Sequence, residues 1–324
     1  MKNVVFIGSG AIATAMANVM VKNDKINVTM LSIEKDVVES IKQQHVNLKY
    51  FPNFKLSKRL KATMSALVLR TADVIFLAIP SVSVVPYMKK HLRYVNPSAL
   101  IVNLAKGFGE DMCIIPECLR ELMPNTMTTM KGPSFAREVL DGQATAFTIA
   151  SYRSECFPLF ELLFAKTRIF LDYTDDVIGV EFASILKNIY AIVIGIVDAN
   201  FDSANLRSLV LSRAINEIRR LMVAFGGREE TIFNYCGLGD FSLTALNDMS
   251  RNRTLGLLIG KGLFVEDISR HVVLEGRIAV DVFYQKMLQS QINVHEYPIM
   301  MELVKVFNSP AYDIKGFVKH LLSK

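Results

Sequence analysis

Asn3-Val4-Val5-Phe6-Ile7 runs directly into Gly8-Ser9-Gly10-Ala11-Ile12-Ala13, and an Ala- and Met-rich stretch that favours helix continues to Val21. A strand feeding a G-x-G-x-x-A turn that opens a helix is the fingerprint of a dinucleotide site. Gly8 permits the tight turn, Gly10 lets backbone approach a pyrophosphate, and the small Ala13 lets the helix pack closely on the sheet. The first N–H groups of the helix then point at the phosphates. Beyond a second strand, Val28-Thr29-Met30-Leu31, stands Glu34, where an acid usually holds the ribose 2′-hydroxyl; Lys35 beside it favours a 2′-phosphate. These two residues leave NAD or NADP open. Lys2 and the apolar opening have the composition of a signal peptide, but the fingerprint in the same residues argues against that reading.

From Asn3 to Asp172 short aliphatic or β-branched runs alternate with helical segments: the two above, then Val74 to Ile79, Leu100 to Leu104, Ala144 to Ala150 and Ile169 to Leu171. Near-continuous apolar strands imply a sheet covered on both faces, as in parallel doubly wound folds. From Asp176 onward long helical stretches, Val177 to Val197 and Asn205 to Phe225, replace the strands. The expected class is α/β. An N-terminal Rossmann-type doubly wound sheet, residues 1–175, forms a dinucleotide-binding domain, and an all-helical C-terminal domain, residues 176–324, carries substrate and catalytic groups. A length of 324 residues suits two domains, and no internal repeat is visible.

With 51% hydrophobic and 21% charged residues the chain is not disordered. Its 37 Lys and Arg against 31 Asp and Glu leave a net charge of +6, which suits an anionic partner. The basic residues are not clustered, so no nucleic acid or lipid surface is expected, and a small phosphate ester fits equally well. Cys113, Cys118, Cys156 and Cys236 form no CxxC pair or regular framework, so a reducing cytoplasm is the expected location. The longest apolar run, Ile189 to Val197, is far short of the roughly 20 residues that cross a bilayer, and stable membrane insertion is not expected. His45, His91, His271, His295 and His320 are scattered and no H-E-x-x-H occurs, so no metal site is expected. Glu229-Glu230 and Asp175-Asp176 read as helix starts or solvated turns.

Further segments carry chemistry. Lys106-Gly107 follows a strand, where open α/β sheets place ligands. Lys131 to Val139 comes next; Gly132 and Ser134 can offer an N–H and a hydroxyl to an oxygen-rich substrate, although Gly132-Pro133 reads equally as a turn. The segment Gly179 to Val193 is apolar on nearly every helical face and should be buried, yet it contains Lys187-Asn188. Burial disfavours an ammonium and lowers its pKa towards neutrality, where it can exchange a proton; a stem on the core with its head in water is the alternative. In Gly237-Leu238-Gly239-Asp240, with Thr244, and in Ser250-Arg251-Asn252-Arg253, Asp240 supplies a carboxylate, Arg251 offers a planar fork for phosphate and Asn252 adds a donor. Taken alone, such loops are usually turns and solvated faces.

In this order, over essentially the whole chain, the segments resemble the bacterial NAD(P)-dependent glycerol-3-phosphate dehydrogenase family. Gly132 to Val139 is similar to its G-P-S-F-A-x-E-V signature, and the later segments to its G-L-G-D and S-R-N-R. The resemblance implies an oxidoreductase that interconverts dihydroxyacetone phosphate, a small-molecule phosphate substrate, and sn-glycerol 3-phosphate with NAD or NADP, supplying phospholipid synthesis. Lys187 then takes the family's catalytic position as proton donor and acceptor, with Asp240 and Lys106 as further catalytic groups. Substrate contacts are implied at Lys106, Gly132, Ser134, Lys187, Asp240, Ser250, Arg251 and Asn252. Cofactor contacts are implied at Gly8, Gly10, Ala11, Ile12, Ala13, Ile33, Glu34, Lys106, Ala136 and Arg251, and at Val273 and Glu275 in a later element near the nicotinamide.

Some residues depart from the family pattern. Ala11-Ile12-Ala13 replaces a small residue, an aromatic and a Gly; Asp198 to Asp202 lacks the usual glycines; Arg277 to Asp281 differs. These bear on cofactor affinity more than on the reaction. Two rival readings are another Rossmann-plus-helical reductase, of the ketopantoate or β-hydroxyacid type with a carboxylate substrate, and a non-catalytic nicotinamide-nucleotide sensor. The sequence does not set the oligomeric state, and a homodimer is compatible with it.

Overall fold

Along strand β1 (Lys2–Ile7), Val4 and Phe6 enter one apolar core while Val5 and Ile7 enter another. That is the two-residue period of an extended chain whose sheet is buried on both faces. The computed structural model describes residues 1–263, 270–309 and 312–322, and of residues 270–275 the helical backbone alone. The chain divides into two units, Met1–Val177 and Ile178–Lys324.

In the first unit β1 is joined by β2 (Ile26–Leu31), β3 (Lys61–Thr63), β4 (Val74–Leu77), β5 (Leu100–Asn103), β6 (Met127–Lys131), β7 (Thr145–Ser151) and β8 (Ile169–Thr174). The sheet order is β3-β2-β1-β4-β5-β6-β7-β8. Helices α1 (Ala11–Met20), α2 (Lys35–Gln44), α3 (Ser81–His91), α4 (Ile115–Leu122), α5 (Ala136–Leu140) and α6 (Phe157–Phe164) lie between the strands in sequence. The strand order reverses between β1 and β4, and open sheets of this kind bind ligands beyond the carboxyl ends of the strands at that point. Phe6 and Phe76 bind β1 to β4 there, their rings stacked 4.6 Å apart.

The sheet differs from the sequence expectation in three ways. β3 is only three residues long and edges the sheet, too short to leave a periodic signal. β6 contains Thr128, Thr129 and Lys131 and is nevertheless buried throughout. Its polarity is satisfied sideways: the Thr128 hydroxyl donates to the Ile101 carbonyl at 3.0 Å, and that of Thr129 to the Asn103 carbonyl at 3.4 Å. β6 and β7 pair antiparallel, whereas all the other neighbours pair parallel.

The second unit is helical among its described residues: α7 (Val177–Asn200), α8 (Ala204–Ala224), α9 (Asp240–Leu246), α10 (Arg251–Gly260), α11 (Arg270–Gln289), α12 (Pro298–Asn308) and α13 (Phe317–Leu322). By length and composition α7 could cross a membrane, which the run Ile189 to Val197 alone does not suggest; 89% of its apolar window is buried in the protein, so it is a core helix. Gly195 of α7 and Gly256 of α10 let two backbones touch. A Cβ on Gly195 would fall 2.2 Å from the Arg253 carbonyl oxygen, and one on Gly256 2.0 Å from that of Ile192. Only glycine fits such an approach.

α12 begins on a buried carboxylate. Glu217 of α8 accepts hydrogen bonds from the backbone N–H of Met300 at 2.8 Å and of Ile299 at 3.1 Å, and from the Tyr190 hydroxyl of α7 at 2.6 Å. Burial pushes its pKa above the usual carboxylate range, and these donors offset that only in part.

Candidate active site

In the first unit a cavity of about 380 Å³ opens at the β1/β4 switch point. Gly8, Ser9 and Gly10 line it, with Ser32, Ile33 and Glu34 after β2 and Ala78 to Pro80 after β4. Gly8 has φ +114°, and a Cβ there would lie 2.4 Å from the Ala78 carbonyl oxygen, so the turn requires glycine. A Cβ on Gly10 would meet nothing within 4 Å. The open space over Gly10, at the start of α1, fits a pyrophosphate approached by backbone N–H groups.

Glu34 sits at the rim. Its carboxylate accepts from the Ser9 hydroxyl at 3.4 Å and is paired with the ammonium of Lys49. The hydrogen bond to Glu34 holds the Lys49 pKa above its ordinary value. Ser32 braces the rim, its hydroxyl 2.6 Å from that of Ser9 and accepting the Glu34 N–H at 3.0 Å. Sequence reasoning missed Ser32 and Lys49; Ser32 follows β2 directly, whereas Lys49 lies beyond α2 and carries no local signal.

The other expected cofactor positions take different places. Ala11 and Ile12 open α1 and pack on the core, and Ala13 is wholly buried in it. Ile33 is exposed on the cavity rim. Ala136 is the first residue of α5. The side chains of Val273 and Glu275 lie outside the described residues. Lys106 follows β5 with its side chain exposed. Gly132 is buried beyond β6, and the Ser134 hydroxyl donates to the Gly132 carbonyl at 3.1 Å.

The second unit assembles a buried ionic cluster. Lys187, in the middle of α7, donates to Asp240 Oδ1 at 2.5 Å and to the Thr244 hydroxyl oxygen at 2.8 Å. The side chains of Lys187 and Asp240 are 6% and 1% exposed. Lys187 therefore does not carry its head out to water. Asp240 begins α9 and Thr244 stands one turn later on the same helix, its hydroxyl donating to the Asp240 carbonyl at 2.7 Å. Thr244 was noted beside Asp240 in the sequence but given no role there; the i, i+4 spacing from Asp240 was the available signal.

The close α7–α10 crossing brings Asn252 to Asn188, the neighbour of Lys187, with Asn252 Nδ2 donating to Asn188 Oδ1 at 3.1 Å. Ser250 caps α10, its hydroxyl accepting the Arg253 N–H at 3.3 Å. Arg251 is exposed on the first turn of α10. Arg253 turns instead to Asp198 and Asp248 and braces α7 and the approach to α10. Among the described residues no group of three or more His, Cys, Asp or Glu side chains gathers as a metal site would require.

Residues 3–157 match the model of the NAD-dependent glycerol-3-phosphate dehydrogenase N-terminus, and residues 176–313 that of the C-terminus. A glycerol-3-phosphate dehydrogenase [NAD(P)+] of Carboxydothermus hydrogenoformans is 34% identical, over 94% of this chain and 91% of its own. One from Halothermothrix orenii is 31% identical, over 93% and 89%. The crystal structure of the glycerol-3-phosphate dehydrogenase of Coxiella burnetii superimposes with a TM-score of 0.89 at 27% identity, covering 100% of this chain and 99% of the other. With a switch-point cavity built on Gly8 and Gly10 and a buried lysine cluster in a helical unit, this chain belongs to the NAD(P)-dependent glycerol-3-phosphate dehydrogenase family.

Proposed function

We infer that the protein reduces dihydroxyacetone phosphate to sn-glycerol 3-phosphate, and catalyses the reverse, in the cytoplasm as a source of glycerol phosphate for phospholipids. Family membership together with the buried Lys187–Asp240–Thr244 cluster carries this reading. Residues 1–175 bind the dinucleotide and residues 176–324 carry the reacting end. When bound, the nicotinamide supplies or accepts the hydride.

The chain's own groups do the rest. The Gly8–Gly10 turn and the start of α1 hold the pyrophosphate, and Glu34 addresses the adenosine ribose. Lys187 gives a proton to the oxygen that gains charge as the carbonyl is reduced, and takes it back in the oxidation. Asp240 and Thr244 fix the Lys187 ammonium, so its direction is set before substrate arrives. Arg251 and Asn252 hold the phosphate, with Lys106, Gly132 and Ser134 completing the substrate contacts.

The test is the absorbance of NADH and of NADPH on addition of dihydroxyacetone phosphate, with ketopantoate as the rival substrate. Oxidation of the nucleotide by dihydroxyacetone phosphate alone is expected. Turnover of ketopantoate instead, or binding of nucleotide with no turnover of either, would overturn the reading.

A further inference from the structure

Lys131 has no part in the site drawn above, yet it is wholly buried at the end of β6. A lysine at a strand end ordinarily keeps its head in water, because burying an ammonium is costly unless acceptors are arranged for it. Here the acceptors include two carbonyls at the end of β5. The Lys131 ammonium donates to the Asn103 carbonyl at 3.3 Å and to that of Ala105. The Asn103 side chain adds a brace of its own, its Oδ1 accepting the Ala105 N–H at 3.0 Å. The next residue is Lys106. On its other side a Cβ on Gly107 would fall 2.4 Å from the Ser81 hydroxyl oxygen at the start of α3. The backbone before Lys106 is thus held by Lys131 and Asn103, the backbone after it passes close to Ser81, and Lys106 itself is exposed.

We propose that Lys131 is a positioning residue: its ammonium ties the end of β5, which carries Lys106, to the end of β6, which leads into Gly132-Pro133-Ser134. The proposal rests on the reading of Lys106 as a substrate contact. Fixing the root of Lys106 in advance lowers the ordering cost when a phosphate ester binds. The device lies at the ends of β5 and β6, two and three strands from β1 and the Gly8–Gly10 turn, so its loss should weaken substrate binding far more than nucleotide binding.

The test is Lys131→Met, which keeps length and bulk and removes the donor. The variant should bind NADH, measured by fluorescence titration, within twofold of wild type. Its affinity for sn-glycerol 3-phosphate, measured by calorimetry, and its kcat/KM for dihydroxyacetone phosphate should each fall at least tenfold. In a Lys106→Ala background the same change should cost less than threefold, because a residue acting through Lys106 has nothing left to position. Equal losses in both backgrounds, or no loss in either, would overturn the proposal. If Lys106→Ala alone leaves substrate binding and turnover unchanged, the reading of Lys106 fails instead, and the proposal with it. Should Lys131→Met not fold, Lys131→Leu, which also removes the donor, is judged by the same comparison.

Discussion

The ammonium nitrogen of Lys187 lies 2.5 Å from Oδ1 of Asp240, a carboxylate 53 residues further along the chain, in a part of the second unit where neither side chain reaches water. An ammonium held in one place can deliver a proton along a fixed line. Lys187→Ala should therefore lower kcat by at least the 10²–10⁴-fold typical of a lost general acid, roughly, with nucleotide binding retained. Lys187→Arg should be nearly as damaging, since a guanidinium does not release a proton near neutrality and cannot match the ammonium's fit between Asp240 and Thr244. Steady-state turnover near normal in the Arg variant would remove Lys187 from the chemistry.

Arg251 stands on the first turn of α10, where its planar fork can take two phosphate oxygens. Arg251→Lys should raise KM for dihydroxyacetone phosphate about tenfold or more, and the loss reaches kcat if phosphate binding orients the carbonyl. Unphosphorylated dihydroxyacetone, a poor substrate throughout, should hardly change. Measuring both substrates on both proteins isolates the phosphate–arginine coupling. Equal losses would mean that Arg251 serves the fold or the nucleotide.

At the rim of the nucleotide cavity, Glu34 opposes a 2′-phosphate while Lys49, paired with it, offsets part of that charge. Both nucleotides should be used, with a modest lean to NADH. Glu34→Ala should shift the ratio of kcat/KM towards NADPH by roughly tenfold, about 1.4 kcal/mol. An unchanged ratio would show that Glu34 does not read the ribose.

Glu217 supports the helical unit rather than the chemistry. Glu217→Ala strands the Ile299 and Met300 N–H groups and the Tyr190 hydroxyl, and should cost about 2–4 kcal/mol in urea unfolding. Because its pKa is raised in the folded state, its contribution is complete below the ordinary 4.5 and is lost as pH rises through the folded value. The margin of wild type over Glu217→Gln should accordingly shrink as pH rises above about 4.5. A margin that grows with pH would contradict the raised pKa.

Local chemistry made much of this legible in the sequence. The turn at Gly8 and Gly10 could be read because its constraints act within a few residues of one strand and one helix. The burial of Lys187 could be read because its own helix is apolar on nearly every face. What neighbours Lys187 could not: Asp240 was tied to it by family resemblance, and the distance rests on α7 packing beside α9, with Gly195 and Gly256 bringing α10 close enough for Asn252 to reach Asn188. β6 was invisible because its threonines are satisfied by the carbonyls of β5, a partner that exists only once the sheet has formed. Lys131 was invisible for the same reason. A lysine at a strand end looks like surface in any linear reading, and only the tertiary fold supplies the two carbonyls that let it stay inside.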